Sequence, residues 1–194
     1  MGRACEGAAF SFARGLCHIP AMVLPFTLRR ATPDDLSALD TLLARSYPRL
    51  LKADYPPSVL VTALPIIVRA RPELLASGRY FVAVDGTGQL LGAGGYSLAA
   101  PAPRGAPLGP REEQIGHIRH VVTDPDRLRQ GVGRAVMTCV LTTAGAEGVT
   151  VFDCLSTRTA VPFYAALGFR TLGVAIVPLA PGIEFPAVRM RLDP

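Results

Sequence analysis

The stretch VVTDPDRLRQGVGRAVM, at residues 121–137, decides the fold of this chain. Its apolar beginning predicts a strand, its middle predicts a turn, and its end predicts a helix that opens at residues 129–134. The first N–H groups of a helix have no acceptor within it, and the helix dipole adds partial positive charge there. With two glycines between Arg129 and Arg134, this helix start predicts a phosphate or pyrophosphate site. The alternative is an ordinary strand-to-helix turn whose glycines serve packing.

Composition bounds the class of protein. A chain of 194 residues is long enough for one domain with a full core and too short for two. A hydrophobic content of 49% with 18% charged residues is typical of a globular protein. The net charge of +5 comes almost entirely from arginine, because Lys52 is the only lysine. These arginines are scattered without interleaved aromatic residues, which argues against a nucleic-acid partner.

The cysteines and the apolar runs exclude other classes. The four cysteines are widely spaced and show no zinc-type pairing with histidine, so we expect buried thiols in a reducing compartment and no metal site. The most hydrophobic run, residues 59–68, is short and contains Pro65, so no membrane span is expected. We therefore predict a cytoplasmic location.

The order of elements predicts one domain. Residues 1–21 show no periodic pattern, and we interpret them as a disordered leader or a mis-annotated start upstream of Met22. Residues 22–194 alternate as β-α-α-β-β-β-α-β-α-β-β, which predicts a single mixed α/β domain. Within it we expect a helix that is broken or kinked at Pro65 and a helix over residues 130–146.

Two motifs together carry a family resemblance. The strand and turn at residues 120–125 lead into Arg-Gln-Gly-Val-Gly-Arg, and AVPFYAALGF follows at residues 160–169 after one helix and one strand. In this order and spacing, the chain from about Phe26 to its end resembles the GNAT (GCN5-related) N-acetyltransferase superfamily. The resemblance implies a twisted mixed sheet of six to seven strands flanked by about four helices.

The resemblance implies a coenzyme A groove with acetyl-CoA as co-substrate. Two departures stand at Leu128, where the family usually has Gln or Arg, and at Thr157, where it often has Asn. The positions implied to bind the cofactor are Val121, Val122, Thr123, Arg129, Gln130, Gly131, Val132, Gly133, Arg134 and Thr157.

The family places a tyrosine beside the coenzyme A sulfur, and Tyr164 takes that position. Its hydroxyl would protonate the leaving thiolate as a general acid. The alternative is that Phe163 and Tyr164 only pack their helix on the sheet. A backbone N–H of Val121 or Val122 would stabilise the oxyanion.

The general base is less sharply defined. The histone-acetylating branch of the family has a glutamate on its fourth strand, and His117 takes that position here. By strand alternation His120 would lie on the opposite face. Glu113 acting through a water, a water chain without a dedicated base, and a packing role for His117 are the alternatives.

The function implied is transfer of an acetyl group to a primary amine of a small molecule or peptide, by direct attack in a ternary complex. A homodimer is compatible with it. The alternative is a non-catalytic acyl-CoA-binding regulatory module. The acceptor would lie against Tyr47, Tyr55, Tyr96 and the loop at residues 99–114.

Overall fold

The computed structural model describes residues 25–100 and 114–193. Residues 1–21, interpreted above as a leader or a mis-annotated start, lie outside this range. So does most of the loop at residues 99–114. The described residues form one mixed α/β unit, as predicted, with a seven-stranded sheet in the order β1-β2-β3-β4-β5-β7-β6. Its strands are β1 (Thr27–Arg30), β2 (Tyr80–Val84), β3 (Leu90–Ser97), β4 (Ile115–Thr123), β5 (Val151–Ser156), β6 (Arg170–Ala180) and β7 (Ile183–Leu192).

Five α-helices lie within the described residues, where about four were expected. They are α1 (Leu36–Leu51), α2 (Pro57–Ile67), α3 (Pro72–Ala76), α4 (Val132–Ala146) and α5 (Val161–Ala165). Pro65 lies inside α2 and does not end it, so of the predicted break or kink the break is wrong. Proline removes the bond to the carbonyl four residues earlier, and Val61 at that position is 71% exposed, so water can replace the lost bond.

The helices cover both faces of the sheet. On one face α4 and α5 pack through Val136, Met137 and Tyr164 in one apolar core. On the other face α1 and α3 form a second core with β2, and α2 packs on Phe185 of β7. Both faces of the central strands are therefore buried, as a layered α/β domain requires.

The sheet opens between β4 and β5. These two strands run parallel and pair only from Ile115–Val151 to His117–Asp153, whereas all other neighbouring strands are antiparallel. Beyond His117 the strands are no longer paired, so residues 118–123 and 154–156 diverge. Backbone groups along this gap are available to a bound molecule.

Candidate active site

A cavity of about 250 Å³ lies at the gap between β4 and β5. Its walls come from β4, β5, α5, the α2–α3 region and the β6–β7 hairpin. Of the residues predicted at a site, Val121, Thr157 and Tyr164 line it together. The cavity is mostly apolar, with a few polar groups that converge on it, as in small-molecule sites.

The start of α4 has the geometry of an anion site. Gly131 caps the helix with a φ of 82°, and Arg129 before it also has a positive φ of 63°. The first helical bond runs from Ala135 N–H to the Gly131 carbonyl at 2.9 Å. The N–H groups of the three residues in between therefore have no helical acceptor. The helix begins at Val132, two residues later than predicted, because the left-handed Gly131 cannot continue a right-handed helix.

Gly133 brings this helix start close to its neighbours. A Cβ atom at this position would lie 3.0 Å from the Thr123 Oγ1 atom and 3.2 Å from the Phe163 ring. Only glycine allows α4, β4 and α5 to approach so closely without a shift. The two motifs of the sequence therefore meet directly in space.

The turn between β4 and α4 is tied to α1. The buried Asp124 side chain forms an ion pair with Arg45 and accepts a hydrogen bond of 2.9 Å from Asp126 N–H. Asp126 in turn pairs with Arg49 at 2.9 Å. The sequence carried no signal for these contacts, since the partners are 77 to 79 residues apart.

Tyr164 is buried between Phe163 and Phe169, with ring centroids 5.2 and 5.4 Å away. Burial raises the pKa of Tyr164 well above its usual value, and the neighbouring Cys154 thiol raises it further. Burial likewise raises the pKa of Cys154 to about 12. Both groups are protonated at neutral pH, so the phenol is a hydrogen-bond donor there.

Thr157 lies at the end of β5 and begins the short turn Arg158–Ala160. Tyr55 supports this turn, because its hydroxyl accepts a hydrogen bond from Arg158 N–H and donates one to the Pro186 carbonyl. Of the three tyrosines expected near the acceptor, only Tyr47 lines the cavity. Tyr55 has this structural role, and Tyr96 is buried in the core that contains α4.

A β-bulge in β4 changes the expected placement of the histidines. Arg119 is paired with Gly95 and Val122 with Ala93, so His120 and Val121 together face Gly94. His120 has a φ of 44°, which is rare for a residue other than glycine and typical of a distorted strand. The alternation used to place His120 on the opposite face therefore does not hold through this point.

The structure brings His120, and not His117, to the cavity. His117 is buried where β4 still pairs with both neighbours, opposite Ser97 on β3 and Asp153 on β5. The closed sheet at this position separates it from the gap. His117 as the general base therefore stays a prediction that no cavity contact supports.

The same bulge separates the two candidates for the oxyanion donor. Asp124 N–H bonds to the Leu91 carbonyl at 2.8 Å, so alternation makes Val122 and Ala93 the next hydrogen-bonded pair. Val122 is thus directed toward β3 and does not line the cavity. The His120 carbonyl accepts a 2.6 Å hydrogen bond from the Tyr80 hydroxyl. Across this trans peptide the Val121 N–H points the opposite way.

Two arginines at the cavity were missed by the sequence reasoning. Arg119 on β4 is only 8% exposed, and Arg71 lies in the connection between α2 and α3. Burial, together with the charge of Arg71, lowers the pKa of Arg119 to about 10. The available signal was an arginine between two apolar or aromatic neighbours in a predicted strand.

Two expectations from the sequence, no membrane span and no metal site, concern residues 25–100 and 114–193 as the structure describes them. No helix there is both long and apolar enough to cross a bilayer. Nor do histidine, cysteine and carboxylate side chains cluster there in threes as a metal site would need. The cytoplasmic location stays a prediction.

Comparisons with known proteins assign the family. Residues 76–171 match the family model described as an acetyltransferase (GNAT) domain. This chain belongs to the GNAT superfamily. A UPF0039 protein of Schizosaccharomyces pombe is 37% identical over 90 residues, which are 45% of this chain and 57% of that protein. The chain thus spans little more than half the length of this curated relative.

Solved structures share the fold of this GNAT protein. A GCN5-related N-acetyltransferase from Rhodopseudomonas palustris aligns over 90% of this chain and all of its own, with a TM-score of 0.68 and 19% identity. The PaiA N-acetyltransferase from Thermoplasma acidophilum, solved in complex with coenzyme A, aligns over 87% of this chain and 99% of its own, with a TM-score of 0.60 and 12% identity. At such identities the likeness shows a common fold.

Proposed function

We propose that this GNAT protein transfers an acetyl group from acetyl-CoA to a primary amine of a small molecule or peptide, by direct attack in a ternary complex. The observation that carries the proposal is the cavity at the β4–β5 gap, which joins Val121, Thr157 and Tyr164, together with the open N–H groups at the start of α4. The coenzyme A complex of the structurally similar PaiA protein supports the choice of cofactor.

In this proposal the start of α4 binds the pyrophosphate of acetyl-CoA. The open N–H groups of Val132, Gly133 and Arg134 donate to phosphate oxygens, and the arginine side chains on either side add positive charge. Leu128 at 43% exposure contributes no polar group, so binding there depends on the backbone. The pantetheine chain then runs along the gap toward Thr157 and Tyr164.

The thioester carbonyl lies at the bulge. The Val121 N–H donates to its oxygen and stabilises the negative charge that develops when the amine nitrogen attacks the carbonyl carbon. A C–N bond forms and the C–S bond breaks, with the electron pair leaving on sulfur. The proton lost by the attacking nitrogen goes to His120 or to a water beside it.

Tyr164 stabilises the leaving thiolate. An ordinary thiol has a pKa of about 8.5, below that of the buried phenol, so complete proton transfer from Tyr164 would be uphill. We therefore assign it the role of a hydrogen-bond donor whose bond shortens as charge develops on sulfur.

The test is release of free thiol from acetyl-CoA over a panel of alkylamines, amino acids and short peptides. With the best acceptor, we expect Tyr164→Phe to lower kcat about ten-fold or more while the KM for acetyl-CoA stays unchanged. Tyr96→Phe is the matched control, because it removes a buried hydroxyl away from the cavity.

An unchanged kcat in Tyr164→Phe would remove the assignment of Tyr164. Tight binding of coenzyme A without thiol release from any amine would favour the acyl-CoA-binding module over an enzyme.

A further inference from the structure

Arg119 is the one arginine that is buried within the described residues. Its side chain makes no hydrogen bond or ion pair to a described carboxylate, and Arg119 is one of the residues that line the cavity. Arg71 lines the same cavity and also has no described carboxylate partner. No aspartate or glutamate of the described residues lines the cavity.

About half of the described arginines are paired with carboxylates. Seven described arginines, all more exposed than Arg119, form ion pairs with aspartate or glutamate, although such pairs contribute little at the surface. They are Arg29, Arg45, Arg49, Arg79, Arg170, Arg189 and Arg191. The arginine for which pairing matters most is thus left without a carboxylate.

Burial of the Arg119 guanidinium near Arg71, without a described carboxylate partner, lowers the stability of the folded protein. A guanidinium removed from water is destabilised unless an anion compensates it, and a second positive charge nearby adds repulsion. The lowered pKa of Arg119 reports both effects, but at about 10 it leaves the group charged at neutral pH. An anion entering the cavity would relieve both.

The two arginines do not belong to the pyrophosphate site. Ile118 packs in the core beneath α4, so its strand neighbour Arg119 lies on the opposite face of the sheet. Arg71 follows α2, which also covers that face. Both are therefore on the side of the gap away from the start of α4.

We propose that the acceptor amine also carries an oxyanion, foremost a carboxylate, which Arg119 and Arg71 bind on the side of the cavity opposite α4. This substrate class rests on the acetyl transfer proposed above. A simple alkylamine is a cation and would be repelled by two guanidinium groups, whereas a carboxylate on the same molecule cancels that charge. The apolar walls, at Ile66, Ile67, Val177 and Leu179, fit an apolar side chain.

The first experiment measures binding without turnover. Isothermal titration compares 4-methylpentanoate with the uncharged 4-methylpentanamide, which have the same carbon skeleton. We expect the carboxylate to bind at least about ten-fold more tightly, the scale of a hydrogen bond to a charged group. Arg119→Met should abolish this preference, and Arg119→Lys should restore part of it.

Arg69→Met is the matched control, because Arg69 is exposed two residues before Arg71 and does not line the cavity. If Arg119→Met does not fold, Arg71→Met is used in the same titration. Equal binding of acid and amide by the native protein, or an unchanged preference in the folded variants, would overturn the proposal. 3-Methylbutylphosphonate tests the source of the oxyanion: tighter binding than the carboxylate would support an oxyanion site for a phosphorylated amine.

A second readout separates this proposal from the acetyl transfer itself. L-Leucine and L-leucinamide are compared as acceptors by kcat/KM, and we expect about ten-fold or more in favour of the acid, lost in Arg119→Met. Turnover of both at equal efficiency would refute the carboxylate subsite and leave acetyl transfer standing. Selective carboxylate binding with no thiol release would support the carboxylate subsite and count against acetyl transfer.

Discussion

His120 lies at the bulge of β4 on the cavity wall, whereas His117 lies three residues earlier in the fully paired part of the sheet. We expect His120→Gln to lower kcat/KM about ten-fold or more and to flatten its fall toward acidic pH, because a histidine base must be neutral to accept a proton. The matched substitution His117→Gln should leave the profile unchanged. The measurement is kcat/KM from pH 5.5 to 9, and a flattened profile in His117→Gln alone would return the base to that residue.

The start of α4 shows how an element positions the site. Gly133→Ala places a methyl group 3.0–3.4 Å from atoms of the Thr123 and Phe163 side chains, and we expect the start of α4 to shift by a few tenths of an ångström to relieve this contact. We expect a loss of about 1–3 kcal/mol of stability and a higher KM for acetyl-CoA, since the N–H groups of the helix move with it. In the same helix, Gly145 has no neighbour within 4 Å of a Cβ atom, so Gly145→Ala should stabilise by about 0.5–1 kcal/mol with KM unchanged. Urea unfolding measures the stability of the two variants, and steady-state kinetics measures their KM for acetyl-CoA. Equal KM values would show that close packing of Gly133 does not matter for binding.

The whole molecule should lose stability in alkali. Burial raises the pKa values of Tyr47, Tyr80, Tyr96, Tyr164 and Cys154 in the folded protein. The unfolded chain releases its tyrosine protons near pH 10, so above that pH it binds fewer protons than the folded state. The free energy of unfolding therefore begins to fall near pH 9, where the Cys154 thiol of the unfolded chain ionises. It falls more steeply above about pH 10, by up to about 1.4 kcal/mol per pH unit for each tyrosine.

Urea unfolding midpoints between pH 8 and 11 check this decline. Tyr47→Phe should make it shallower, because burial is the sole cause of the raised pKa at that position. Constant stability up to pH 11 would contradict it.

Local sequence determined the elements and the helix start. Alternating and helical periodicities predicted most strands and helices, and the glycines at 131 and 133 predicted the helix start with its open N–H groups, because both signals depend on neighbours within a few residues. The elements and the helix start follow from short-range backbone geometry, which a single sequence displays. The role of Tyr164 did not follow from that geometry; the family resemblance of the second motif implied it.

Only the tertiary structure decided which side chains meet at the gap. The bulge at His120 depends on the register against β3 and on the Tyr80 hydroxyl, 40 residues away in sequence. The bulge leaves His120 and Val121 at the cavity, whereas His117 and Val122 do not line it. The exposure of Arg119 to the cavity likewise depends on the divergence of β4 from β5. Such contacts join residues far apart in the chain, so periodicity and spacing carry no trace of them.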